Sequence, residues 1–168
     1  MKHRSIALAA ATVAILAAGT PALAKMPNQK GMHSQQCARV STTQVAGWFD
    51  TFNAAWATKD PAKVTALFTK DAVLLPTVSN KPRLTPAEVN DYFVKFLKGS
   101  PVGTIDTSTI RIGCNSAHRL GTWTVKLTDA TTGVVTDVKA RYSFIYKIEN
   151  GQWKIEHLHS SMMPEPVS

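Results

Sequence analysis

The sequence has 168 residues, a formal net charge of +8, 44% hydrophobic and 18% charged residues, and only two cysteines. Those proportions exclude a disordered or collagen-like chain, a disulfide-dense miniprotein and a multidomain enzyme. They leave room for one domain around one core.

The chain opens on Met1-Lys2-His3-Arg4, runs apolar from Ile6 to Ala18, breaks at Gly19-Thr20-Pro21 and reaches Ala22-Leu23-Ala24. A basic start, a short apolar stretch and an A-x-A site make a secretory signal, so residues 1–24 are read as a signal peptide. The run is short for a bilayer span, and no later segment approaches about 20 apolar residues, so no membrane contact is expected after cleavage. The expected location is periplasmic or secreted. Cleavage removes Lys2 and Arg4, and the remaining basic residues are scattered with no dense cluster or stacking platform. Nucleic acid is therefore not an expected partner. Cys37 and Cys114 survive cleavage, and in an oxidising compartment such a pair reads most simply as a disulfide. A redox or metal site is the alternative, although no C-x-x-C is present and two cysteines alone make a poor metal site. No metal and no cofactor are expected.

Residues 25–36 are polar with Pro and Gly and read as a flexible N-terminal tail, leaving residues 37–165 as the domain. A first helix is expected from Thr42 to Thr58, capped by Ser41 or Thr42, with Val45, Trp48, Phe49, Phe52, Ala55 and Trp56 on one side. Asp60-Pro61 starts a short second helix. Ala72–Leu75 is a short strand that Pro76 confines to an edge or a strand end. Thr85-Pro86-Ala87-Glu88 carries the cap, first-turn proline and capping-box acid of a third helix, which Gly99 ends. After Gly99 the pattern turns extended, with strands near 102–114, 119–128, 134–148 and 152–160. Helices followed by a strand meander predict an α+β fold, the helices against one face of an antiparallel sheet.

Asn150-Gly151 is a two-residue hairpin signal and fixes a register. Regular pairing sets Ile148 against Trp153, Tyr146 against Ile155, Phe144 against His157 and Tyr142 against His159, all on one aromatic face toward the helices. The other face then carries Arg141, Ser143, Ile145 and Lys147 with Lys154, Glu156, Leu158 and Ser160, and meets solvent or another subunit. A bulge would shift this assignment beyond its position. Trp123, Val125 and Leu127, and likewise Ile110, Ile112 and Cys114, alternate toward the helix side, within reach of Cys37.

The stretch Asn150–Ser161 (NGQWKIEHLHSS) resembles the closing strand of the association domain of calcium/calmodulin-dependent protein kinase II. Residues 71–93 and 103–114 resemble the exported bacterial branch of that family, within the SnoaL-like, nuclear transport factor 2-like superfamily near proteins labelled SgcJ/EcaC. The similarity covers roughly residues 37–165. It implies a cone of helices capping a curved sheet, a pocket between them, and homodimers or higher oligomers joined through the sheet. In the kinases this domain only assembles subunits, and its pocket can hold small carboxylates through basic side chains. Ser160 stands where those domains can carry a basic residue; Arg83 or Arg141 are the substitutes on offer. The length leaves no room for a kinase domain.

His157 and His159 can serve as acid/base groups, bind a ligand, ligate a metal if a third ligand exists, or act as hydrogen-bonded structural residues. Tyr92, Tyr142 and Tyr146 are further candidates, each also readable as a core aromatic. No paired acids, nucleophile elbow or Gly-rich phosphate loop occurs. The expected ligand-binding set is Arg83, Tyr92, Trp123, Tyr142, His157 and His159. The functional expectation is an exported, oligomeric, non-kinase association-domain-like protein whose cone binds a small organic molecule. The alternatives are a small-molecule isomerase, cyclase or dehydratase using His157, His159 or a Tyr, and a purely structural assembly module. Whether it is an enzyme stays open, because this superfamily hosts many activities.

Overall fold

A computed structural model describes residues 37–164. The expected signal peptide and N-terminal tail lie outside the described residues. Helix α1 spans Thr42–Ala57, and Ser41 caps it reciprocally: its Oγ accepts from the Gln44 amide at 3.2 Å while Gln44 Oε1 accepts from the Ser41 amide at 2.9 Å. Helix α2 is the short Pro61–Thr65 behind the Asp60 cap. Helix α3 runs Pro86–Phe96 behind Thr85 and tightens into a 3-10 turn over Leu97–Gly99. Glu88 reaches one residue further back than a standard capping box, accepting from the Leu84 amide at 3.0 Å.

The strands are β1 (Phe68–Leu75), β2 (Val102–Gly113), β3 (Ser116–Thr128), β4 (Val135–Glu149) and β5 (Gln152–Met162), in the order β1-β5-β4-β3-β2. Strands β2 to β5 are an antiparallel meander, as expected. The sheet as a whole is mixed, because β1 joins the free edge of β5 in parallel. Its start at Phe68 is earlier than the apolar run Ala72–Leu75 suggested, since the polar residues between follow an irregular edge.

The core lies between α1, α3 and one face of this sheet. From α1 come Val45, Phe49, Phe52 and Trp56, all buried. Phe52 meets Phe144 edge-on at 5.4 Å, and Phe49 meets Trp123 at 5.9 Å. Each such buried aromatic contributes about 1.5–3 kcal/mol by removal from water. Asn53 pins α1 to β2 at the same level, donating to the Gly103 carbonyl at 2.7 Å and accepting from its amide at 2.9 Å. Cys37 and Cys114 are joined in a disulfide, and the Ala38 amide donates to Asn115 Oδ1 at 2.8 Å. The approach to α1 is thereby fastened to the β2–β3 turn.

The β4–β5 hairpin departs from the expected register at one point. Asn150 and Gly151 adopt the left-handed conformations of a tight primed turn, and pairing follows expectation through Tyr146–Ile155. Glu156 is then an extra residue. Beyond it Ile145 pairs with His157, Phe144 with Leu158, Ser143 with His159 and Tyr142 with Ser160. This bulge exchanges the two faces for the rest of β5. Leu158 and Ser160 turn into the core at 3% and 5% exposure, while His157 and His159 turn to the outer face of the sheet. The regular register would bury two imidazoles among aromatic rings and expose a leucine, both unfavourable.

Candidate sites inside the cone and on the outer sheet face

Inside the cone, Phe52, Trp56, Tyr92, Phe93, Phe96 and Trp123 line a narrow cleft that opens beside Pro76, Thr77 and Val78. Its volume is about 20 Å³. That is room for one water, not for a drug-sized ligand. The polar groups at the cleft are few. Ser160 Oγ accepts from Trp123 Nε1 at 3.1 Å and is paired with the Thr77 hydroxyl. Trp56 Nε1 is buried and has no partner. The lining contains no carboxylate and no histidine.

Of the expected ligand-binding set, Tyr92 and Trp123 line this cleft. Tyr92 stacks on Phe96 at 5.3 Å, and burial holds its phenol far above the ordinary value against the opposing pull of Arg83. Arg83 sits behind it, its guanidinium 5.7 Å from the Tyr92 ring centre. It donates to the Lys81 carbonyl at 2.8 Å and to Ser79 Oγ at 3.2 Å, so it braces the loop that returns from β1. Tyr142 faces the core, but its hydroxyl is spent on the Thr107 carbonyl at 3.0 Å. Burial also raises the Tyr146 phenol, with Arg119 opposing, and its hydroxyl has no partner. No sequence signal singled out Arg119. It is 6% exposed, donates to Ser108 Oγ at 3.0 Å and to the Ala46 carbonyl at 2.9 Å, and lies over the Phe49 ring.

His157 and His159 are not with these residues. They lie on the outer face, their ring centres 6.4 Å apart. The pairing of the strands arranges this face in rows across the sheet. Val73, His157, Ile145, His118 and Arg111 form one row; Leu75, His159, Ser143, Leu120 and Thr109 the next; Ser161, Arg141, Thr122 and Thr107 a third. Burial pushes the His157 imidazole below the usual histidine range, and the charge of His159 adds to this; a hydrogen bond with the Val73 backbone and the charge of Glu156 act the other way. Leu120 is 39% exposed in the middle of the face. His118 was missed in the sequence, and Trp56 was read only as part of the apolar side of α1, because neither stands in a motif. Among the described residues no group of three or more His, Cys, Asp or Glu is placed to hold a metal ion, and no helix is long and apolar enough to cross a membrane.

Residues 41–164 match the family described as the calcium/calmodulin dependent protein kinase II association domain. A solved structure from Xanthomonas campestris bearing that domain description is 42% identical, covers 81% of this chain and 100% of its own, and superposes with a TM-score of 0.73. A nuclear transport factor 2-like superfamily protein from Salmonella enterica is 15% identical over 73% of this chain and 91% of its own, with a TM-score of 0.64. A ketosteroid isomerase-like protein from Erwinia carotovora is 17% identical over 72% and 95% of the two chains, with a TM-score of 0.59. These last two share the fold alone. No curated protein matches the sequence.

Proposed function

The chain belongs to the calcium/calmodulin-dependent protein kinase II association domain family, and on that premise we propose that it is an exported assembly module whose copies join through the outer face of the sheet. The family implies self-association in general. The observation that carries the face assignment is the set of rows on the outer sheet, with Val73, Leu75, Ile145 and Leu120 interleaved among hydroxyls and histidines, and with Arg111 and Arg141 as the charged residues in these rows. The helix-side face of the same sheet is occupied by the protein's own core. Export is supported by the basic-apolar-AxA start and by the Cys37–Cys114 disulfide, which persists in oxidising compartments. N-terminal sequencing of protein from a periplasmic fraction checks it: the expected first residue is Lys25, and an intact Met1 in the cytosol overturns it.

Sedimentation velocity of the purified, oxidised protein at pH 8 tests the assembly. A dimer or larger species is expected. Leu120→Glu, which places a carboxylate on an already exposed position, should give a folded monomer. A monomeric parent protein overturns the reading.

A second reading is favoured by the unpartnered Trp56 N–H at an apolar cleft. The cleft would admit a small, uncharged, apolar molecule carrying one hydrogen-bond-accepting oxygen, after side chains at its mouth give way. With no carboxylate or histidine in the lining and the Tyr92 phenol held protonated by burial, this supports binding rather than proton-transfer chemistry. A thermal-shift screen with small aromatic ketones should find stabilisation that Trp56→Phe removes; turnover retained in Trp56→Phe would point to another site.

A further inference from the structure

Resting on the reading that copies join through the outer sheet face, we propose that the association is acid-sensitive: His118, His157 and His159 let the copies separate as the pH falls through the histidine range.

The geometry that carries this is the placement of charge on the face. His157 and His118 flank Ile145 in one row, His159 lies in the adjacent row, and Arg111 and Arg141 stand at the end of the first row and in the third. These rows contain no carboxylate. On β4, Lys147 is next beyond Ile145 and Lys139 next beyond Arg141. The nearest acids are already engaged. Asp71 within β1 and Glu156 at the bulge both bind Lys147, each at 3.0 Å. Asp137 binds Lys126 at 2.9 Å, and Asp106 accepts from Thr124 at 2.9 Å. The helices are on the opposite side of the sheet and present no charge to these imidazoles.

Strand β4 is the middle strand of five. A face-to-face two-fold running along β4 therefore lays these rows on the same rows of the second copy. Histidine then meets histidine, arginine, a hydroxyl or an apolar side chain. Neutral imidazoles tolerate this and add apolar area. Protonated ones must lose water and gain cationic neighbours, while the acids within reach, Asp71 and Glu156, stay bound to Lys147. In a single copy, burial and His159 already disfavour the charged form of His157.

The sign follows from linkage. Association lowers the histidine pKa values, so the separated copies bind more protons than the assembly, and the dissociation constant rises as pH falls. One pKa unit lost by one imidazole is worth up to tenfold in that constant. With equivalent histidines in both copies, the expected rise between pH 8.0 and 5.5 is at least about tenfold.

The test is sedimentation equilibrium of the purified, oxidised protein at pH 8.0 and 5.5 at one ionic strength, beside His157→Gln/His159→Gln. The parent protein should associate at pH 8.0 and dissociate at least about tenfold more readily at pH 5.5, and the double variant should lose most of that difference. Equal association at both pH values overturns the acid sensitivity and leaves self-association standing. A monomer at both overturns self-association itself. Full pH dependence in the double variant overturns the assignment to these histidines. Should that variant fail to fold, histidine NMR titrations of the parent protein at concentrations above and below its dissociation constant decide the matter. The pKa values should be lower at the higher concentration, and equal values overturn the proposal.

Discussion

At Gly121 a side chain has no room. A Cβ built there would lie 2.0 Å from the carbonyl oxygen of Thr107, the same oxygen that accepts the Tyr142 hydroxyl at 3.0 Å. Two backbones meet at this point because β2 carries an extra residue at Asp106, between the Ile105–Trp123 and Thr107–Thr122 pairs. Gly121→Ala must push the strands apart and disturb Tyr142, so urea unfolding should show a loss of about 1–3 kcal/mol or more. Gly47, within α1, has nothing within 4 Å of its would-be Cβ. Gly47→Ala should therefore stabilise by about 0.5–1 kcal/mol, because glycine is a poor interior helix residue and the space is open. The opposite signs at a strand glycine and a helix glycine separate a steric requirement from a propensity effect. A loss at Gly47 would mean that the face of α1 carrying it is covered.

Strand β5 tests its own register. With the bulge at Glu156, Leu158 is a core residue and His159 a surface one. Leu158→Ala should cost about 2–5 kcal/mol in unfolding free energy. His159→Ala should stay within about 0.5 kcal/mol for the separated chain. The regular hairpin register reverses that order, so the two variants together decide between them. The same element marks how far the sequence could be read. Caps at Ser41, Asp60 and Thr85, the apolar stripe of α1 and the Asn150-Gly151 turn are local signals, and the elements follow them within a residue or two. A bulge is set by which of two alternations packs better across strands, and that competition is not written in any short stretch. Here it decides the candidate site. It carries His157 and His159 out of the cone and brings in Ser160, which the sequence had placed outside. The strand at Ala72–Leu75 was legible, but its parallel pairing was hidden for a related reason, because it joins segments far apart in the chain. Tyr92 and Trp123 could be placed on the core side from the sequence, since the period of the element that carries each is unbroken at that point.

The disulfide belongs to the scale of the whole molecule, because Cys37 and Cys114 are 77 residues apart and the loop they close contains every helix of the described residues together with β1 and β2. Opening it frees the unfolded chain far more than the folded one, whose ends stay held by the Ser41 cap, the Ala38–Asn115 hydrogen bond and the α1 core stripe. The chain-entropy account puts the loss at about 4 kcal/mol for a loop of this length. Both sulfurs lie on exposed residues at the rim, so their removal leaves no cavity in the aromatic core. Cys37→Ser/Cys114→Ser, or reduction of the parent protein, should therefore lower the urea midpoint by that stability while leaving the near-ultraviolet circular dichroism of the packed tryptophans unchanged at low urea. A change in that spectrum would mean that the bond positions α1 on the sheet as well as limiting the unfolded state. An unchanged midpoint would mean that the unfolded chain retains the same closure without it. Association of the oxidised and reduced proteins at pH 8 should be alike, because the outer-face rows from Leu75 to Thr109 owe their spacing to strand pairing and not to the Cys37–Cys114 bond.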